Sequence, residues 1–175
     1  MNFNKLAKES YANAVKHGFW EKRESNEHCL MLVVSEIGEM VEAHRARKRA
    51  NLEVYNDGTF NSSENFKVLI KDTLEDEMAD VAIRLGDLAG ALGVDFDKMN
   101  PCKYHRAFDK FTFTENAFAL TKGLCRDIIG IEKRIQFGLE YVFKWAKSIN
   151  IDLDWHIDEK MKYNATRPPK HGKAY

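Results

Sequence analysis

The chain has 175 residues, which is enough for one domain with a sizeable core. Its 27 Lys and Arg residues balance its 27 Asp and Glu residues, so there is no overall basic field to attract a nucleic-acid polymer, and we expect no such partner. Three cysteines without Cys-x-x-Cys spacing, and no apolar run that could span a membrane, predict a cytoplasmic protein without a membrane partner.

Helical signals dominate the first third of the chain. The first predicted helix runs from about Phe3 to Val15 and stops near Gly18, and the second runs from about Asn26 to Arg49. Ser25 is a candidate N-cap for the second helix, because its hydroxyl can accept a hydrogen bond from a free backbone N–H. The following segment, NLEVYNDGTFNSSEN, is rich in Asn, Gly, Ser and Asp and is predicted to be a loop.

Helices are predicted for most of the remaining chain as well. The third is expected from near Ser63 to Gly93, a residue type that often ends helices. A short helical turn and a connection are expected over 95–103, while residues 104–121 fit an irregular loop, a hairpin or a helix start. A fourth helix is predicted over about 123–149, and a last one follows a candidate cap at Asp152 and ends near Asn164. The apolar series of the fourth helix is Ile128, Ile131, Ile135, Leu139, Val142 and Trp145 or Ala146. Together, these predicted elements indicate an all-α bundle with one core.

Two pairs of acidic residues lie in the two most apolar helical stretches, Glu36 with Glu39 and Glu77 with Asp80. Residues three apart share a helix face, so each pair points in one direction. Glu77 falls on the apolar stripe of its helix, where a carboxylate is costly unless it is paired or bound to a cation. If the two helices pack antiparallel, the pairs converge, and their hard oxygen donors favour Mg²⁺ or Mn²⁺ over zinc.

A pair of acids three residues apart on a helix is more often simply a solvated face. Glu42, Glu75 and Asp76 point away from the two stripes and are predicted to be ordinary solvated acids of this kind. Ferritin-like di-iron bundles also place carboxylates inside, but they need a Glu-x-x-His motif, which this sequence lacks. A divalent-cation site is therefore the favoured reading of the two pairs.

The acidic motifs carry a resemblance to a known family. Glu36-Ile-Gly-Glu39 followed by Glu77-Met-Ala-Asp80 resembles the Glu-x-x-Glu … Glu-x-x-Asp signature of the MazG-like all-α nucleoside triphosphate pyrophosphatases. The segments His17-Gly-Phe-Trp20 and Val81-Ala-Ile-Arg-Leu-Gly-Asp87-Leu-Ala are also similar to sequences of that family. Near the end of the chain, Lys160-Met-Lys-Tyr-Asn164-Ala-Thr-Arg167-Pro, with His171-Gly-Lys173, resembles its Lys-x-x-x-Asn-x-x-Arg element.

The resemblance covers residues 17–93 and 151–173. It implies a MazG-like helical bundle, with a four-helix core and additional helices, in a single domain over 1–175. Two segments have no counterpart in the family pattern and are interpreted as insertions, near 50–64 and 101–121. Because they touch none of the motif residues, we expect them to affect substrate access or contacts between subunits.

The activity that the resemblance implies is Mg²⁺-dependent hydrolysis of a nucleoside triphosphate, a dNTP or a modified NTP, to the monophosphate and pyrophosphate. In this interpretation four acids are both metal ligands and catalytic residues, namely Glu36, Glu39, Glu77 and Asp80. The resemblance also supports a homodimer or homotetramer. A second function class stays open, which is a nucleotide-binding regulatory module that keeps the pocket without turnover.

Substrate binding is assigned to a second group of residues. Lys160, Asn164 and Arg167 share a helical face and can bind phosphate, although a basic helix end also suits the helix dipole. Trp20 and His17 are candidate nucleobase contacts, because aromatic faces stack on bases; packing in the core is the alternative. Arg84 is a candidate partner for a carboxylate of the site or for substrate, and Asp87 is a candidate contact of Arg84.

Overall fold

The computed structural model describes residues 2–57, 62–103 and 105–172, and these residues are helical with no strand. The all-α prediction is confirmed. The described helices are α1 (Phe3–Lys16), α2 (Asn26–Arg45), α3 (Leu52–Asn56), α4 (Ser62–Leu69), α5 (Leu74–Leu92), α6 (Phe113–Leu124), α7 (Ile131–Ser148) and α8 (Leu153–Ala165). Short 3₁₀ turns lie at Phe96–Lys98, Phe108–Lys110 and Pro169–Gly172. None of the described helices has the length and apolar character needed to cross a membrane. The predicted loop residues 58–61, residue 104 and Lys173 lie outside the described residues.

Helix α5 is the centre of the core. Thirteen of its nineteen residues are buried, and α1, α2, α7 and α8 all pack against it. The Thr73 side chain caps its N-terminus, and Gly93 ends it at φ 67°, as predicted. Because the second acidic motif belongs to this helix, the packing that buries α5 also carries carboxylates into the interior.

Helices α2 and α5 run antiparallel, which is the arrangement that would let the acidic pairs converge. At one end, the N–H of Leu74 donates to the carbonyl of Lys48 at 3.1 Å. At the other end, Arg23 donates to the carbonyl of Ala91 at 3.4 Å. The middle turns of the two helices, which carry both acidic motifs, therefore lie side by side.

The predictions for the second and third helices were partly wrong. Helix α2 begins after the predicted cap Ser25 but ends at Arg45 rather than Arg49, because Arg47 adopts a left-handed conformation with φ 55°. The third predicted helix is in fact two helices, α4 and α5, separated by a break in which Asp72 has φ 60°. Neither turning residue is a glycine, so the residue types do not indicate that the helices end there.

The segment predicted to be a loop forms α3 and the beginning of α4. These helices contribute to a second apolar cluster, built from Phe66, Ile70 and Tyr163 of α8. The rings of Phe66 and Tyr163 stack with centroids 4.6 Å apart, and the Tyr55 hydroxyl donates to Glu159 of α8 at 2.7 Å. The segment between α2 and α5 therefore holds α8 against the bundle.

The ambiguous region after α5 resolves into a 3₁₀ turn and α6. Helix α6 begins with a capping box, in which Thr112 and Glu115 satisfy each other's backbone N–H groups. The fourth predicted helix begins at Ile131 instead of residue 123, and Ile128 is 83% exposed before its start, so placing Ile128 in the apolar series was wrong. Asp152 caps α8 as predicted.

Gly90 marks the closest approach of α1 to α5. A Cβ added at Gly90 would lie 2.4 Å from the Ala7 carbonyl oxygen and 2.5 Å from the Tyr11 Cβ, both too close for a side chain. We expect Gly90→Ala to lower the free energy of unfolding by about 1–3 kcal/mol, the usual cost of overpacking. Urea denaturation measures the change.

Gly38→Ala on α2 is the matched control for Gly90→Ala. A Cβ at Gly38 would meet nothing within 4 Å. Because Ala is the better helix former, this substitution should raise the free energy of unfolding by about 0.5–1 kcal/mol. Equal changes in the two variants would contradict the close approach of α1 and α5.

Candidate metal centre and phosphate cleft

A cleft of ≈ 170 Å³ lies where α1, α2, α5 and the end of α8 meet. It brings together both acidic pairs, Arg84 and the three polar residues of the C-terminal motif. The residues concerned are Glu36, Glu39, Glu77, Asp80, Arg84, Lys160, Asn164 and Arg167. Side chains that are up to 131 positions apart in the chain, from Glu36 to Arg167, thus share one cleft.

Three of the predicted metal ligands form a compact oxygen cluster. Glu36, Glu39 and Glu77 each offer a carboxylate oxygen, and these oxygens all lie within 4.8 Å of one another. Glu36 and Glu77 are buried, whereas Glu39 is exposed. The Oε2 atom of Glu77 is buried without a hydrogen-bond partner among the described residues, an arrangement that costs about 1–3 kcal/mol. Three carboxylate oxygens close together, with Oε2 of Glu77 lacking a hydrogen-bond partner among the described residues, fit a divalent cation such as Mg²⁺.

Asp80, the fourth predicted ligand, is held by Lys160. The Lys160 Nζ lies 2.7 Å from Oδ2 of Asp80 and 2.7 Å from Oδ2 of Asp76. Lys160 is 3% exposed and Asp76 is 1% exposed, so their ion pair is buried, whereas Asp80 lies partly exposed at the edge of the cleft. The prediction that Asp76 is a solvated acid was wrong. Its spacing of four from Asp80, which puts both on one face of α5, was the signal that could have found it.

Glu75 is a further acid that was wrongly predicted to be solvated. It is buried and accepts hydrogen bonds from Arg49 Nε at 2.5 Å and from the N–H of Ala50 at 3.0 Å. Glu42, in contrast, is exposed and pairs with Arg45 at 2.6 Å, as its position predicted. Glu75 therefore fixes the chain after α2 and is not part of the cleft.

Arg84 contacts a carboxylate of the cluster, as the sequence suggested. Its Nε donates to Oε1 of Glu36 at 2.6 Å. Arg84 and Asp87 interact through their charges but form no direct hydrogen bond or ion pair among the described residues. Asp87 accepts a hydrogen bond from Trp20 Nε1 at 2.7 Å. His17 is buried, its Nδ1 donates to the Asn13 carbonyl at 2.7 Å, and it is not among the residues that line the cleft.

Burial gives several of these groups unusual proton affinities. It raises the pKa of Glu77 to about 8, with Asp80 and Asp76 adding to the effect, and it also raises the pKa of Glu36. Burial raises the pKa of Asp76 to about 6 although Lys160 opposes the shift. For Lys160, burial opposes the charged form, but Asp80 and Asp76 outweigh it and raise the pKa. The acidic cluster therefore has a high affinity for added positive charge.

The phosphate-binding candidates of the C-terminal motif supply the other part of the cleft. Asn164 lies one turn after Lys160 on α8, and Arg167 follows the end of that helix. The Oδ1 atom of Asn164 and the hydroxyl of Ser10 on α1 are buried with no hydrogen-bond partner among the described residues. These unsatisfied polar atoms indicate that the cleft suits a polar ligand.

A second cavity, of ≈ 230 Å³, adjoins this cleft. It lies between α2, α5 and the connection from α1 to α2, and its lining includes Trp20, Cys29 and Leu32. Three residues line both spaces, namely Phe19, Arg84 and Asp87. The structure therefore places Trp20 next to the cleft, in a neighbouring compartment.

Comparisons with protein-family models, with curated proteins and with solved structures give no match for this chain. The MazG-like resemblance stays a prediction that rests on the motif residues. The geometry described above depends only on the chain's own side chains.

We expect Mg²⁺ to stabilise the folded protein through the Glu36, Glu39 and Glu77 cluster. At 100 times its dissociation constant, a ligand that binds only the folded state adds about 2.7 kcal/mol to the free energy of unfolding. Glu77→Gln should remove most of this gain, because it takes away a charged donor. Thermal denaturation with and without Mg²⁺ measures the effect. Glu42→Gln, on the exposed side of α2, is the control; an equal Mg²⁺ effect in the Glu77→Gln protein would contradict the assignment.

Asp87 should make stability depend on pH. Burial raises its pKa to about 7 from an ordinary value of 3.8, although the Trp20 hydrogen bond and the Arg84 charge oppose this shift. The folded state thus binds the proton more tightly than the unfolded state, so this contribution to stability is complete below about pH 4 and is lost as the pH rises to about 7. Asp87→Asn should make the change in unfolding free energy between pH 5 and pH 8 smaller. Urea denaturation at both pH values tests this, and an identical pH dependence in the two proteins would refute it.

Proposed function

We propose that this chain is a Mg²⁺-dependent nucleoside triphosphate pyrophosphohydrolase, which produces a monophosphate and pyrophosphate. The observation that carries the proposal is the meeting of the acidic cluster with Lys160, Asn164 and Arg167 in one cleft. Donors for a divalent cation and donors for phosphate oxygens are what this reaction requires together. The resemblance of the same residues to the MazG-like signature supports the proposal, and the oligomeric state stays a prediction.

The acidic residues would hold the cation. Bound to Glu36, Glu39 and Glu77, Mg²⁺ would neutralise charge on phosphate oxygens and lower the pKa of a bound water. Two of the acids are already oriented by cationic neighbours, since Arg84 bonds to Glu36 and Lys160 bonds to Asp80. Donors that are fixed before substrate binds need no reorganisation during the reaction, which is the main source of electrostatic catalysis.

The C-terminal residues would hold the triphosphate. An ammonium group has three N–H donors, and Lys160 directs two contacts to Asp76 and Asp80, so one donor is available for a phosphate oxygen. The Arg167 guanidinium can bind phosphate oxygens as a fork, and the amide of Asn164 can add a hydrogen bond. Lys160 would thus link the acidic side of the cleft to the substrate.

In the proposed reaction, the oxygen of a water forms a bond to the α-phosphorus. The bond from that phosphorus to the bridging oxygen of the β-phosphate breaks, and pyrophosphate leaves with the electron pair. A carboxylate of the acidic cluster accepts the proton of the water. The cations at the C-terminal side stabilise the negative charge that grows on the leaving group.

Loss of one acid should abolish most of the activity. We expect Glu39→Gln and Asp80→Asn each to lower kcat at least ~100-fold, the scale that follows loss of a charged group at a metal site. Release of monophosphate and pyrophosphate from a panel of canonical and modified NTPs and dNTPs, with Mg²⁺, measures turnover.

Glu42→Gln is the matched control, because Glu42 lies on the same helix as Glu39 and pairs only at the surface with Arg45. It should keep near-normal activity. Near-normal activity in Glu39→Gln would contradict the ligand assignment, and near-normal activity in Asp80→Asn would contradict a catalytic role for the acid that pairs with Lys160. Nucleotide binding without product from any member of the panel would reject the hydrolase and favour a regulatory module.

A further inference from the structure

We propose that Asp87 determines base specificity, by accepting a hydrogen bond from the exocyclic amino group of a nucleobase bound in the second cavity. Because this rests on the proposed function, it concerns the nucleoside end of the same substrate. The triphosphate end occupies the cleft, and Asp87 is one of three residues that line both spaces.

The position of the second cavity suits a nucleoside. A nucleotide whose phosphates lie near Arg84 and the acidic cluster must extend away from them, and the shared wall of Phe19, Arg84 and Asp87 is where the two spaces join. Beyond that wall Trp20 and Leu32 supply apolar surface, and the lining also includes the charged residues Glu21, Lys22, Glu24 and Lys170. Ligand sites commonly combine such apolar walls with a small number of well-placed polar groups.

Of the three shared residues, Asp87 is the hydrogen-bond acceptor, whereas Arg84 is a donor that already bonds to Glu36. The described residues give Asp87 one hydrogen bond, in which the Trp20 indole N–H donates to Oδ1, and Oδ2 is left for a ligand. The Trp20 ring is itself held, since Tyr11 packs against it edge to face with centroids 5.6 Å apart. The Trp20 contact therefore fixes the carboxylate in orientation, which is what a specificity-determining acceptor needs.

The chemistry of a carboxylate selects the class of base. Burial raises the pKa of Asp87 to about 7, so the assay is run at pH 8, where the carboxylate is mostly ionised. In that form it only accepts hydrogen bonds, and it favours the amino groups of adenine, cytosine and guanine. Uracil and thymine offer a ring N–H flanked on both sides by carbonyl oxygens, and these oxygens would face the carboxylate with like charge. A nucleotide without the amino group would leave the Asp87 carboxylate unpaired, and such an unpaired polar group discriminates strongly between substrates. The structure therefore assigns an amino-bearing nucleoside triphosphate as the substrate class.

The test compares nucleotides that differ by one amino group. Each of dGTP, dATP and dCTP is assayed beside the analogue without its exocyclic amino group, with wild-type protein and with Asp87→Asn. Asn keeps the shape and can still accept from Trp20, but it lacks the charge. For at least one pair, wild type should lose about 10-fold or more in kcat/KM on removal of the amino group, mostly through KM, and the loss should shrink in Asp87→Asn. The control is Asp109→Asn, at an exposed acid that lines neither cavity.

The outcomes separate this inference from the proposed function. Hydrolysis with no amino-dependent pair, or with the same ratio in Asp87→Asn, overturns the role of Asp87 and leaves the hydrolase intact. Absence of product with every nucleotide rejects the hydrolase, and the same pairs are then compared by nucleotide-induced change in Trp20 fluorescence. Equal binding within every pair in that assay overturns the inference as well. A structural role alone would change all nucleotides equally, since it does not depend on the base.

Discussion

The ion pairs of Lys160 with Asp76 and Asp80 are the constraint on which the rest of the structure depends. Helix α5 packs against four other helices and cannot turn its acids to solvent, so their charge must be compensated inside. Lys160 of α8 supplies the compensation, and removing one partner of such a buried pair typically costs about 3–5 kcal/mol. The ring of Tyr163 on α8 also stacks on Phe66 in the second apolar cluster. Polar and apolar interactions therefore both hold α8 in place.

A balance of charge then decides what the cleft can bind. Among the described residues, six acids and four cations line the cleft, so negative charge is in excess. The acids are Glu36, Glu39, Asp72, Glu77, Asp80 and Asp87, and the cations are Lys71, Arg84, Lys160 and Arg167. Compensation within the chain is therefore incomplete, and burial, with Asp80 adding to the effect, raises the pKa values of Glu36 and Glu77. A metal ion together with an anionic phosphate fits such a site, because each offsets the charge that the other brings.

Much of the site followed from local spacing, whereas the errors came from left-handed conformations that the residue types do not favour and from contacts between distant parts of the chain. The Glu-x-x-Glu and Glu-x-x-Asp spacings place each pair on one helix face whatever the rest of the fold does, and the caps at Ser25, Gly93 and Asp152 also act locally. The ends of α2 and α4 depend on Arg47 and Asp72 in left-handed conformations, which their residue types do not favour. The spacing of four between Asp76 and Asp80 places them on one face of α5, but the lysine that compensates their charge is 84 residues from Asp76 and follows from no local pattern.

Residues from both ends of the described chain line the cleft and the second cavity, so neither space is complete until those ends meet. Ser10 of α1 lines the cleft with Asn164, and the N–H of Lys170 donates to the carbonyl of His17 at 2.8 Å. Contacts between residues so far apart in sequence form slowly, because the entropy of closing the intervening loop must be overcome first. The helices can form early, but the site is complete only when the last helix docks. Partly folded chains would thus lack the cleft, and the nucleotide binding that we propose would report the completion of folding.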